Sequence, residues 1–246
     1  NNPFGSFYGF KFKGVYKDKN STIALDENGN QIIGPNGDKI YMRFAYPSVD
    51  YVFQPGDAIY EDINHDGNID YKDIVYLGNG NPKLTGGIGS AFTINGNLKL
   101  SINFSFRTGY DIINGTKINT TNMYGFNNQS TAVLRRWKKE GDETDIPRAI
   151  YGGGYNFLGS DRYIEDGSFL RLRSLGLKYD FGKTFMKRIG MKSVSANVIV
   201  ENILTFTKYT GQDPEVPIRL NGSNTVVDNS TTPPIKTVTV GLTANF

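Results

Sequence analysis

The chain lacks cysteine altogether, has one histidine and one tryptophan among 246 residues, and nowhere runs through about eighteen apolar residues in a row. Without cysteine there is no thiol catalysis, no thiolate metal site and no disulfide framework. Without a long apolar run there is no transmembrane helix, so any passage through a membrane must use strands. Charge of one sign is also scarce: 27 Lys and Arg against 24 Asp and Glu leave a formal +3. The basic residues are scattered among loops rather than gathered with stacking aromatics, which argues against nucleic acid as a partner. The start, Asn1-Asn2-Pro3, has no initiator Met, charged n-region or apolar h-region. The expectation is that an export signal was removed by processing or that the chain is a fragment.

What is present is alternation. Val238, Val240, Leu242, Ala244 and Phe246 alternate without a slip with Thr237, Thr239, Gly241, Thr243 and Asn245, the period of a strand with one apolar and one wet face. Leu98, Leu100, Ile102, Phe104 and Phe106 alternate likewise with Lys99, Ser101, Asn103, Ser105 and Arg107. The preceding run, about 84–94, meets this one at Asn95-Gly96, a favoured two-residue hairpin turn. Similar patterns predict strands over about 4–16, 168–181 and 192–206. In the 168–181 segment Leu170 and Leu172 fall on the opposite parity from Leu175 and Leu177, which predicts a bulge near Arg173-Ser174. Outer-membrane strands expose only alternate residues to lipid, so a mean hydropathy of −0.40 is compatible with a membrane barrel. Tyr8, Phe10, Tyr110, Tyr179 and Phe246 fall near strand ends, where aromatic belts anchor barrels.

Connection lengths add a second pattern. If Phe246 ends in the periplasm, the turns at Asn95-Gly96 and Gly182 to Met191 are periplasmic and short. The stretches of about 17–83, 110–167 and 207–236 are then extracellular and long, as barrels of this type require. The expected fold class is therefore all-β: the C-terminal strands of a large antiparallel transmembrane β-barrel with long extracellular loops. A soluble antiparallel sandwich has the same alternation, but does not require loops sorted by length. Six strands cannot close a membrane pore, and no segment reads as a plug, so both closure and plug must come from elsewhere.

Several segments, in order, resemble the C-terminal region of the SusC/RagA family of TonB-dependent outer-membrane transporters of Bacteroidetes. They are Pro55-Gly56-Asp57, Asp62 to Asp70, Gly78 to Lys83, Arg136-Trp137 with Gly141-Asp142, Asp161 to Leu172, Asn202 to Gly211, and Asp213-Pro214-Glu215. The resemblance covers about Gln54 to Phe246; residues 1 to 53 match weakly. It implies import of oligosaccharides or peptides, a SusD-like surface lipoprotein as a lid, and energy from a TonB complex reached through a part outside this chain. It also implies a remaining N-terminal part of the same transporter, contact with outer-membrane lipid, and Phe246 as the C-terminal insertion signal.

One loop carries metal chemistry of its own. Asp62, Asn64, Asp66, Asp70 and Asp73 occupy positions 1, 3, 5, 9 and 12 of an EF-hand-like loop, with Gly67 at position 6 and the Asn68 backbone carbonyl at position 7. Hard Ca2+ takes six to eight oxygen ligands, which this spacing wraps around one centre. Asp73 replaces the usual bidentate Glu and no helix precedes the loop, so structural Ca2+ of weak affinity is expected, against an Asx-rich turn that caps only itself. His65, at position 4, points outward. Glu140, Asp142, Glu143 and Asp145 invite comparison with a glycosidase pair, but read as a solvated stretch. No nucleophile or base constellation is present, and no catalytic residue is expected. Transport is thus weighed against a secreted or surface Ca2+-binding β adhesion module and a surface hydrolase.

Overall fold

In a computed structural model, residues 3–215 and 226–246 are described. The chain divides into two units, one of residues 1–80, 112–165 and 218–230, the other of 81–111, 166–217 and 231–246.

The second unit is an antiparallel sheet of five long strands: β1 (Leu84–Ile94), β2 (Leu98–Thr108), β3 (Phe169–Asp180), β4 (Ser193–Thr207) and β5 (Thr237–Asn245). Their spatial order is β5-β4-β3-β2-β1, each strand beside its sequence neighbour. Asn95 and Gly96 both take positive φ, 48° and 74°, as a type I′ hairpin turn demands. The pairings of β3 with both neighbours shift register between Leu172 and Ser174. This bulge at Arg173 brings the two apolar parities of β3 onto one face.

The first unit has short strands and a core of its own. Phe10, Tyr16, Ala24, Met42, Phe44, Phe53, Ala58, Tyr60 and Ile69 are buried together, with Tyr51, Tyr155 and Leu158 packed against them. Aromatic rings meet throughout it, Phe44 with Tyr155 at 4.7 Å and Phe10 with Tyr60 at 5.7 Å. Aromatic pairs add to the burial of their area.

Here the structure departs from the alternation. Phe4 to Tyr16 is not a sixth long strand but two short ones, Ser6–Gly9 paired with Val75–Asn79 and Phe12–Val15 paired with Ala58–Tyr60. The ladder breaks at Phe10, whose N–H donates to Gly159 O at 2.9 Å and whose ring is in the core. Both Phe7 and Phe10 are buried, while Tyr8 is exposed. The expected aromatic belt loses Phe10 and Tyr110 for the same reason: each is buried. Residues 17–80, expected as loop, supply much of the first unit's core.

Candidate functional site

Three places concentrate chemistry, and each is built from local geometry. The first is the acidic turn. Gly67 takes φ +81°, and its N–H donates to Asp62 Oδ2 at 2.8 Å, closing the sharp bend. Asp66 N–H reaches Asp62 Oδ1 and Asn64 Oδ1, each at 3.3 Å, and Asn68 N–H donates to Asp66 Oδ1 at 3.0 Å. Downstream, Asp70 and Asp73 form a capping box around Tyr71–Asp73, and Asp73 Oδ1 also accepts from Ile63 N–H at 2.8 Å. Ile69, fully buried, ties the turn to the core, and its strand Asn68–Ile69 pairs in parallel with Arg43–Phe44. His65 is exposed at φ 54°.

The turn thus gathers Asp62, Asn64, Asp66, Asn68, Asp70 and Asp73 in one place, yet most of their oxygens face N–H groups of the loop itself. Among the described residues no three Asp, Glu or His side chains form a group ready to hold a metal ion. The electrostatics are those of crowded acids. Burial, then the charges of Asp73 and Asp66, push the Asp62 carboxyl above its ordinary range despite the bond from Gly67. Lys72 answers with its ammonium 3.2 Å from Asp66 and 3.9 Å from Asp70, and the bond to Asp66 holds Lys72 above its usual value. The donor set is all oxygen, which suits a hard divalent cation, and Asn68 Oδ1 is buried without a protein partner.

The second place sequence reasoning missed. Asp57, fully buried, accepts from Arg148 Nε at 2.7 Å, Tyr51 Oη at 2.7 Å, Gln54 N–H at 2.8 Å and Asn156 Nδ2 at 3.3 Å. Next to it Gly56 takes φ +87°, and the Trp137 ring lies where a Cβ would project. Trp137 Nε1 donates to Lys17 O at 3.3 Å. Pro55-Gly56-Asp57 therefore fastens the segment around 137–156 to residues 17–60. Trp137 is engaged in this packing through its ring and its indole N–H. Glu140, Glu143 and Asp145 are exposed. Backbone N–H groups of Lys138 and Lys139 hold the Asp142 carboxyl below its usual value, the opposite of what a general acid needs.

The third place is the two-faced sheet. Register carries apolar side chains across all five strands on one face: Phe92, Leu100, Leu177, Val198 and Val240 form one row, and Ile94, Leu98, Tyr179, Ala196 and Leu242 the next. This face is largely open, Val240 and Leu242 each 74% exposed and Ile88, further along β1, 65%. Phe106 spreads over Gly86, filling the space left by the missing side chain. The other face is polar. Thr93, Lys99, Lys178 and Asn197 share a row, and Asn103 Nδ2 donates to Ser174 Oγ at 2.9 Å.

On that polar face Arg171, 1% exposed, donates from Nη2 to both oxygens of Asp213 at 2.6 Å, from Nη1 to Glu215 Oε2 at 3.0 Å and from Nε to Thr205 Oγ1 at 3.1 Å. Arg173 also bonds Glu215, and Tyr110 Oη donates to Pro214 O at 2.8 Å. Asp213-Pro214-Glu215 is thereby pinned to the sheet. The only signal in the sequence was two Arg flanking the polar phase of a strand; their partners are 42 and 44 residues away. Phe246, directly after β5, is 80% exposed.

The chain is 27% identical over 247 residues to TonB-dependent receptor P3 of Formosa agariphila, and 28% identical over 264 residues to TonB-dependent receptor P39 of the same organism. Each match takes in 98% of this chain but only 22% and 25% of the relative. The chain thus spans about a quarter of the length of these curated relatives. No protein-family model matches it. Its fold is similar to that of the RagAB peptide importer, with TM-scores of 0.61 in the closed-closed state and 0.62 in the open-open state. Identity is 24% and 23%, over 98% of this chain and 23% and 22% of the solved chain. The sheet is accordingly similar to a section of that antiparallel β-barrel, left unclosed by these residues alone, and the sequence similarity is to a C-terminal part of TonB-dependent receptors.

Proposed function

We propose that this chain supplies wall strands and loops to a TonB-dependent outer-membrane transporter that imports oligosaccharides or peptides beneath a SusD-like lipoprotein. The observation that carries this reading is the apolar face continued in register across five strands while remaining open. A soluble sheet buries such a face, and contiguous exposed apolar surface of this kind marks an interaction surface; lipid is the partner that suits an apolar face running across every strand of the sheet. Strand length agrees. Eleven residues at about 3.3 Å each, tilted by about 45°, span roughly 26 Å, close to the apolar band of outer-membrane barrels. The polar face then lines the lumen. The long connections lie outside the cell, with Phe246 and the short turns in the periplasm. The similarity to a solved peptide importer supports peptides as one cargo class, and TonB supplies energy through a part of the protein outside this chain.

The test is fractionation and uptake of the full-length protein in its host. Outer-membrane recovery that requires detergent is expected, as is loss of uptake with retained surface binding when residues 110–167 are trimmed. Recovery in the medium or soluble periplasm refutes the transporter and returns the reading to a secreted adhesion module.

The Asp62 to Asp73 turn is proposed in addition as a structural Ca2+ site, supported by its six spaced oxygen donors and by the buried Asn68 Oδ1 that lacks a protein partner. Lys72 is the resident competitor. Calorimetry should show saturable binding at roughly 10⁻⁴ to 10⁻³ M, abolished by Asp66→Ala and tightened by Lys72→Gln. Absence of heat at several-fold higher Ca2+ rejects the site.

A further inference from the structure

We propose that the helix between β3 and β4, with its flanks, is an interfacial surface for anionic phospholipid headgroups; the proposal rests on the membrane-barrel reading above. The helix α1 (Lys183–Ile189) begins after Gly182 and ends at Gly190, which takes φ +71° and closes the cap by donating its N–H to Met186 O. Two residues suffice to join β1 to β2, so the extra length of this turn is not needed for connection alone. Its sequence is amphipathic. Phe185 and Ile189, four residues apart and flanked by Met186, share one side, and Lys183, Thr184, Lys187 and Arg188 occupy the other.

Both sides meet what a membrane interface offers. The Phe185 ring stacks on Phe181 at 5.2 Å, and Phe181 meets Tyr179 edge-on at 5.1 Å. Tyr179 lies in the apolar row with Leu98, Ala196 and Leu242, so the greasy edge of the helix continues the face assigned to lipid. Phe185 and Ile189 remain exposed. Among the described residues the cationic side has no protein counter-charge. Lys183, Lys187, Arg188 and Lys192 are exposed, and none makes an ion pair among the described residues. Residues 181–195 contain no Asp or Glu, and the nearest acid, Asp180, is already engaged by Lys99 and Lys178.

Helix electrostatics do not account for these charges. Lys187 and Arg188 suit the C-terminal end of the dipole, but Lys183 stands in the first turn, where a cation is disfavoured, and Lys192 lies beyond the cap. An amphipathic helix that places aromatic and aliphatic side chains at the acyl boundary and cations among phosphates accounts for all four. Because this end of the sheet also carries Phe246 and the Asn95-Gly96 turn, the phosphates are those of the periplasmic phospholipid leaflet rather than of lipopolysaccharide.

The full-length protein is reconstituted into vesicles of phosphatidylcholine with equimolar phosphatidylglycerol, re-extracted, and its retained lipids counted by mass spectrometry. Wild type is expected to retain phosphatidylglycerol in excess. Replacing Lys183, Lys187, Arg188 and Lys192 with Gln should return the ratio to that of the bulk, each charge being worth up to about fivefold. Lys→Arg at 183, 187 and 192 should preserve the excess. Equal retention by wild type and the Gln variant, both inserted as heat-modifiable barrels, overturns the proposal alone. Failure of wild type to insert overturns the barrel reading and the proposal with it. A parallel preparation with lipopolysaccharide that shows the charge-dependent excess in place of phosphatidylglycerol overturns the phospholipid assignment.

Discussion

Replacing Asp57 with Ala should open the first unit locally, and the size of the effect follows from its surroundings. Asp57 is fully buried and accepts from four donors, of which the Arg148 guanidinium is the charged one. Removing one member of such a pair leaves a cation that neither water nor protein satisfies, typically at about 3–5 kcal/mol. The Arg148 side chain keeps 31% of its surface in water, so its charge is partly rehydrated on loss of Asp57, and the lower end, about 3 kcal/mol, is expected. That corresponds to roughly a hundredfold faster exchange at amides protected by the cluster. Two serve as reporters: Ala58 N–H, bonded to Asn156 Oδ1 at 2.8 Å, and Arg148 N–H, bonded to Gly56 O at 2.7 Å. Exchange would be followed by mass spectrometry on the full-length protein. Asp57→Asn, which keeps the volume and one acceptor, should fall between. A double-mutant cycle with Arg148→Ala decides the matter: additive effects, with no coupling, or an acceleration of only a few-fold in Asp57→Ala, refute the claim that this ion pair fastens the segment.

Three further outcomes are expected. Gly56→Ala places a methyl group at φ +87° against the Trp137 ring, costing at least about 2 kcal/mol. It should shift Trp137 fluorescence to the red, and an unchanged spectrum with unchanged stability contradicts the packing. Arg171→Lys keeps the charge but cannot reach Asp213, Glu215 and Thr205 at once as the three guanidinium nitrogens do, a loss of about 1.5–3 kcal/mol; limited proteolysis should then cut around Asp213-Pro214-Glu215 faster while barrel insertion is unaltered. The lowered Asp142 carboxyl sits below its unfolded value of about 3.9, so its support of the turn is complete above that value and fades as pH falls through the lower folded one. Exchange at Lys138 and Lys139 should therefore stay protected from neutrality down to about pH 4, whereas Asp142→Asn should lose that protection already at neutral pH.

Much of the sheet was legible because strand alternation is a local property. Lipid or core on one side and water on the other imposes a period of two on consecutive residues, and the turn at Asn95-Gly96 and the parity change before Leu175 write turn and bulge directly into neighbouring positions. The acidic turn was legible for the same reason, since its donors lie within twelve residues. Phe4 to Tyr16 shows where this stops. Alternating aromatics suit a membrane wall and a soluble core equally, and what divides the segment is a bond from Phe10 to Gly159, which nothing near Phe10 announces.

Charge pairing stayed hidden in the same way. Asp57 meets Arg148 across 91 residues, and Arg171 meets Asp213 across 42. A buried charge is tolerated only where a partner is held against it, and which partner arrives is settled by the path of the whole chain. By itself the sequence determined the two-faced strands, their turn and bulge, and the oxygen-rich loop, because each is fixed by residues in sequence contact. Only the tertiary structure decided that the N-terminal stretch builds a separate aromatic core, and that two short motifs, Pro55-Gly56-Asp57 and Asp213-Pro214-Glu215, serve as anchors, because their partners are neighbours in space alone.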